Sequence, residues 1–156
     1  GMSARKGGWI VNLSSIAGLA ATPGFRVYSA SKFAVEGLSE ALAGEVAPLG
    51  IRVLIVEPGP FRTDFAGRSL VHAEPLPDYA QAIASTRKYI ADVDGHQTGD
   101  PERAARAILD HVAQNRPELR MVLGKIAMTR MEAKLKTMRS ELDSGLERAL
   151  DADFPD

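Results

Sequence analysis

Two rhythms of apolar and polar positions run through the chain. Residues 9–13 (WIVNL) and 51–56 (IRVLIV) are nearly continuous apolar runs, the pattern of parallel strands buried on both faces. Residues 119–123 predict a short third strand, closed by Gly124. Between the first two runs, residues 28–47 place Ala34, Gly37, Leu38, Ala41, Leu42 and Val46 at helical spacing, a stripe wide enough to face a core. Ala30, Ala43, Gly44 and Ala47 lie on other faces, small enough for a neighbouring helix to approach, and Pro48 and Gly50 stop the helix. A shorter helix is predicted over 78–90, with Asp78 as its cap. Asp100-Pro101-Glu102 reads as a cap, a first-turn proline and an acidic first turn. The helix it opens runs to about residue 115, with Ala104, Ala105, Ile108, Leu109 and Val112 inward, and Pro117 follows.

The last helix, 125–150, spaces Met131, Leu135, Met138 and Leu142 by alternating fours and threes, continued by Gly145 and Ala149. That is coiled-coil spacing over too few heptads to establish one. A helix lying on its own subunit is the preferred reading, and a self-association surface the second. Residues 1–8 are a polar, glycine-rich lead expected to be flexible, and the acidic end DADFPD is expected to fray. Gly1 before Met2 resembles a tag-removal scar. Strands alternating with helices make this an α/β chain with three parallel strands, crossover helices and a long C-terminal helix.

Composition narrows the function classes. The chain has 156 residues, 45% hydrophobic and 25% charged, enough for one domain with a core. A net charge of -1 gives no support for a nucleic-acid or anionic-membrane partner. No apolar run approaches the ~20 residues of a spanning helix, so no membrane partner is expected. With no cysteine, disulfides and thiolate metal sites are excluded, and a cytoplasmic protein is expected. His72, His96 and His111 lack ligand spacing; they are expected as surface or helix residues, with no metal site.

The chemistry-bearing stretch is WIVNLSSIAGLAATPGFRVYSASK, residues 9–32. Its strand ends on Ser14 and Ser15, where open α/β sheets place their ligand crevice. Tyr28 and Lys32 stand four apart in the helix that follows, so they share a face. An ammonium beside a phenol favours the phenolate, which suits Tyr28 to proton transfer. Each element alone has a commoner explanation, a solvated helix face or a turn. Together, in the order strand, Ser, Tyr-x-x-x-Lys, long helix, strand, Pro-Gly, they resemble the short-chain dehydrogenase/reductase family. The segments IVNLSSIAG, YSASK and VEPGPFRTDF carry the resemblance, closely over about the first 65 residues and loosely beyond.

The resemblance implies a partial Rossmann-like layer structure and an NAD(P)-dependent carbonyl/alcohol oxidoreductase acting on a small carbonyl or alcohol substrate. It implies Tyr28 as general acid/base, Lys32 as the residue that assists Tyr28 and holds the nicotinamide ribose, and Ser15 as the group orienting the substrate oxygen. Pro58, Gly59, Phe61 and Thr63 would line the nicotinamide of NAD or NADP, Gly59 because a flat ligand can approach its bare backbone. The chain then divides into residues 9–63 carrying the Ser/Tyr/Lys set, 64–99 covering the substrate, and 100–150 as helix, strand and helix. Phe65, Leu70, Leu76, Tyr79 and Tyr89 could line an apolar pocket there, or could be ordinary packing.

A glycine-rich turn between a first strand and helix, which would seat a pyrophosphate, is not found; Gly7-Gly8 precede the strand. Asn12 is not the asparagine of the family's proton relay. The chain therefore reads as a single truncated Rossmann-like domain expected to bind cofactor weakly. The edge of the first strand should be open and apolar, which predicts a homo-oligomer that covers it, through the 28–47 helix or the C-terminal one. The alternative from another class is a catalytically inactive remnant that folds as an oligomer without cofactor. A serine hydrolase has little support, because no G-x-S-x-G elbow is present.

Overall fold

The computed structural model describes residues 1–67, 69–71 and 73–154. Three strands, β1 (Gly8–Leu13), β2 (Ile51–Pro58) and β3 (Arg120–Leu123), form one parallel sheet in the order β1-β2-β3. β1 pairs with β2 from Gly8↔Ile51 to Leu13↔Val56, and β2 pairs with β3 from Ile55↔Arg120 to Pro58↔Leu123. The central position of β2 explains its unbroken apolar run: Leu54 and Ile55 are fully buried. The helices are α1 (Met2–Arg5), α2 (Arg26–Val46), α3 (Pro77–Val93), α4 (Pro101–Ala113) and α5 (Lys125–Leu150). This is the α/β, partial Rossmann-like layering with a long C-terminal helix that the sequence predicted.

β2 runs two residues past the expected end, through Glu57 and Pro58. Val56 accepts a hydrogen bond from Ser14 N on the β1 side (2.8 Å), and successive residues of a strand bond to opposite neighbours. Pro58 therefore turns its missing N–H toward β1, where the ladder has already ended, so the proline costs no pairing.

The two faces of the sheet carry different helices. Asn12 donates to Ser39 Oγ of α2 at 2.8 Å. Trp9, of opposite parity on β1, meets His111 of α4 edge-on, with ring centroids 5.5 Å apart. α2 and α4 thus lie on opposite sides. The Arg52 guanidinium lies over the Trp9 ring, 5.5 Å from its centroid, and donates to the carbonyls of Asn115 and Arg116. His111, expected among surface or helix residues, is a buried helix residue; His96 is exposed, and His72 lies outside the described residues.

Several expectations need correction. Residues 2–5, expected as part of a flexible lead, form one helical turn closed by Lys6 in the left-handed conformation. Asp78 is not a cap: Pro77 opens α3 and Asp78 sits in its first turn. In α4, Asp100 does cap, accepting from Glu102 N (2.9 Å) and Arg103 N (3.3 Å), but Ala105 and Leu109 face outward. The largest correction concerns α2. Of its predicted core stripe, Ala34, Gly37, Leu38 (63% exposed) and Ala41 point outward and only Leu42 and Val46 are half-buried, while Ser29, Glu36 and Ser39 are buried. The sheet face beneath α2 presents Asn12, Glu57 and Arg120, and buried polar groups need polar partners. That requirement outweighs the apolar stripe.

The edge of β1 is open among the described residues, and Leu13 is 61% exposed. In α5 only Ala127 is buried, so the preferred expectation of a helix lying on its own subunit fails beyond its first turns. No helix among the described residues is long and apolar enough to cross a membrane.

Candidate active site

The site is assembled where β1 ends. The chain leaves the strand with Ser14 still tied to Val56, and Ser15, in extended conformation, caps a 3-10 turn, Ile16–Gly18. The buried Ser15 accepts from Ala17 N at 3.1 Å through its Oγ, which leaves its hydroxyl proton available to a carbonyl oxygen. A side chain at Gly18 would come within 2.8 Å of Ser14 Oγ and 3.0 Å of Lys32 O. Glycine is what lets α2 press against this turn.

Across that contact, Lys32 Nζ donates to the carbonyl of Leu13 at 3.0 Å, two residues before Ser15. The same ammonium lies 5.8 Å from the centroid of the Tyr28 ring. Tyr28 sits between Phe25 and Phe65, with ring centroids 5.8 and 5.2 Å away. Two rings that hold the phenol in place leave its hydroxyl without a hydrogen bond to the described residues, so that hydroxyl is free for a ligand.

The segment after β2 returns to the same place. Thr63 is exposed, and its Oγ1 accepts from Phe65 N at 3.4 Å, at the foot of the ring that packs on Tyr28. Phe61 is half-buried and bridges to Gly99. Gly59 is placed differently from the expectation of a bare surface for a flat ligand. Its N–H donates to Leu123 O at 2.9 Å, and a Cβ there would lie 3.2 Å from Ala127. Its missing side chain makes room for α5. The structure thus brings Ser15, Tyr28, Lys32 and the 61–65 turn around one strand end, with Pro58 and Gly59 on the α5 side of that turn. Of the five residues suggested as a pocket lining, Phe65 packs on Tyr28, whereas Leu76, Tyr79 and Tyr89 are exposed.

Three features escaped the sequence reading. Phe25 is the second ring against Tyr28. Arg130 of α5 donates to the Ala20 carbonyl and to Thr22 Oγ1 (2.7 Å), clamping the loop between Ser15 and Tyr28. Nothing local announces that contact, because its partners lie more than a hundred positions away. Third, beneath the Pro58-Gly59 turn, the Arg120 guanidinium lies 3.3 Å from Glu57, 3.4 Å from Glu36 and 2.5 Å from Glu40. Glu57 is fully buried, and its carboxyl is pushed up from 4.5 to about 7 by that burial and then by the charge of Glu36, with Arg120 opposing. A carboxylate ending an apolar strand was the one signal that could have flagged it. No group of three or more potential metal ligands occurs among the described residues.

Known proteins match the chain in sequence and fold. The family model described as short chain dehydrogenase matches residues 1–73. An uncharacterized oxidoreductase of Schizosaccharomyces pombe is 34% identical over 142 residues, covering 90% of this chain and 48% of that protein. The solved structure of a short-chain dehydrogenase from Streptomyces avermitilis superimposes with a TM-score of 0.88 at 41% identity, covering 98% of this chain and 55% of that one. A short-chain dehydrogenase from Sphingobium yanoikuyae in complex with NADPH gives a TM-score of 0.59 at 27% identity, covering 92% and 47%. The chain spans about half the length of the curated relatives it matches. On the family match, the relatives and the superposition together, the chain belongs to the short-chain dehydrogenase/reductase family.

Proposed function

We propose that this chain carries the proton-transfer end of an NAD(P)-dependent carbonyl/alcohol oxidoreductase. The observation that carries the reading is the Lys32 Nζ to Leu13 carbonyl bond, which fastens the Tyr28-bearing helix to the strand end that carries Ser15. Ser15 holds the oxygen of a small carbonyl or alcohol substrate. Tyr28 gives its hydroxyl proton to a carbonyl oxygen, or takes one from an alcohol. Lys32 stands beside the Tyr28 ring and stabilises the phenolate left behind.

The residues present fit the nicotinamide end of NAD or NADP. Lys32 has three N–H donors and spends one on Leu13, so two remain for ribose hydroxyls. Tyr28 and the exposed Thr63 offer two more hydroxyls, with Pro58 and Phe61 beside them, while Gly59 is packed against α5. The cofactor, when bound, supplies or accepts the hydride, a task no side chain performs. Residues 64–99 act as a cover over the substrate, Phe65 being its contact with Tyr28, within a single domain. The NADPH complex of the Sphingobium yanoikuyae relative supports a nicotinamide cofactor.

Titration of NADPH or NADH fluorescence with the chain tests this reading. Saturable binding, weak because no pyrophosphate turn contributes, is the expected outcome. Lys32→Met should weaken it, whereas Tyr28→Phe should keep binding and abolish carbonyl reduction. Failure to bind either cofactor at any concentration tested would favour the non-catalytic remnant.

A further inference from the structure

We propose that α5 is a self-association surface, on which a second copy of this chain docks its own α5 in antiparallel orientation. The proposal is independent of the catalytic reading. It starts from the helix face that buries Ala127 and half-buries Met131. At helical spacing the same face continues through Leu135, Met138, Leu142 and Leu146, all exposed. The apolar seam therefore leaves the body of the protein and continues without a partner among the described residues.

The charges say what covers it. The first part of α5 carries Lys125, Arg130, Lys134, Lys136 and Arg139 against Glu132; the rest, with the turn that follows, carries Glu141, Asp143, Glu147, Asp151 and Asp153 against Arg148. A helix alone prefers the reverse, anions at its N-terminus and cations at its C-terminus. The first turn of α5 holds no acid at all. Within one copy that charge distribution is used only in part: Arg130 clamps the 20–22 loop and Arg139 pairs with Asp143 at 2.8 Å, while Lys134 and Glu141 make no ion pair among the described residues. Laid antiparallel on a second copy, it sets each basic half against an acidic half and opposes the two dipoles.

Register follows from the seam. Met131, Leu135, Met138 and Leu142 alternate fours and threes, so Glu132 and Arg139 flank one side and Lys134 and Glu141 the other. Antiparallel helices bring like flanks together. With Leu135 of one copy against Met138 of the other, Lys134 meets Glu141 and Glu132 meets Arg139, each twice by symmetry. A parallel pair would set Lys134 against Arg139. An antiparallel pair one heptad further along would set Lys134 against Arg148, and Glu141 against Glu141. Both are repulsive, so the charges select the first arrangement.

Sedimentation equilibrium of the full chain over the micromolar range tests this, alongside Leu135→Asp, Lys134→Glu, Glu141→Lys and the charge-swapped double variant. The wild type should sediment with twice the chain mass. Leu135→Asp, at an exposed position, should weaken association at least tenfold with unchanged helix content. Each single charge reversal should weaken it several-fold, and the double swap should restore it. A monomeric wild type overturns the proposal. So does association untouched by Leu135→Asp, which would place the contact on the β1 edge or on α2. A double swap that fails to restore association overturns the antiparallel register.

Discussion

The two long helices solve opposite problems. α2 buries Ser29, Glu36 and Ser39 and turns the first part of its apolar stripe, through Ala41, outward. α5 buries Ala127 and leaves Leu135, Met138 and Leu142 uncovered. In α2, position is set by hydrogen bonds and ion pairs to one face of the sheet. In α5, position is set at its start, by Ala127 fitted against Gly59 and Arg130 clamped to the 20–22 loop. The contrast teaches that apolar periodicity marks a surface that wants covering without saying what covers it. A polar residue on a buried face is the stronger statement, because most such groups are kept with a partner, as Ser39 is with Asn12.

That contrast predicts that the polar layer under α2 matters more for folding than its apolar face. Arg120→Met should have the largest effect, since Glu36 and Glu57 would remain buried without their cation. A loss of about 3–5 kcal/mol in urea unfolding is expected, and a near-neutral result would show that this layer does not hold α2.

The pH dependence tests the same layer. Glu57 titrates at 4.5 when unexposed to these influences and about 7 in the fold, so the folded chain keeps a proton that the unfolded chain has lost. Stability should therefore fall as pH rises from about 4.5 to about 7 and then level off. Glu36 and Arg120 are the charged groups acting on it, and Glu40 shares Arg120. Glu57→Gln should flatten that fall, as read from urea midpoints across the window; identical slopes for the two proteins would refute it.

Two adjacent positions sharpen the comparison further. Ser39→Ala removes the partner of the Asn12 amide and should cost about 1–3 kcal/mol. Leu38→Gln, on the outer face, should change stability by about 0.5 kcal/mol or less. If the leucine proved the more costly of the pair, the account of which face of α2 is buried would be wrong.

Much of the site was legible because its signals are local. Tyr28 and Lys32 share a face by helical geometry alone, and two serines after an apolar run mark the end of a parallel strand. Phe65 was legible only as an apolar residue in an irregular segment, and its contact with the Tyr28 ring depends on the path of the 61–65 turn. The extension of β2 through Pro58 was hidden because Pro-Gly-Pro reads as a turn unless one knows where the neighbouring strand stops.

The sequence by itself determined the kinds of element, their order, and the spacing of serine, tyrosine and lysine. Apolar runs, helical periodicity, caps and prolines act within a few residues, and so does the chemistry they place. Tertiary structure alone decided that α2 faces inward with Ser29, Glu36 and Ser39, that Arg120 meets Glu40 from eighty positions away, and that Arg130 reaches back to Ala20 from α5. Those outcomes turn on which polar groups the sheet presents and which lack water. No local pattern encodes that balance, because the cost of an unpaired buried charge is set by atoms distant in the chain.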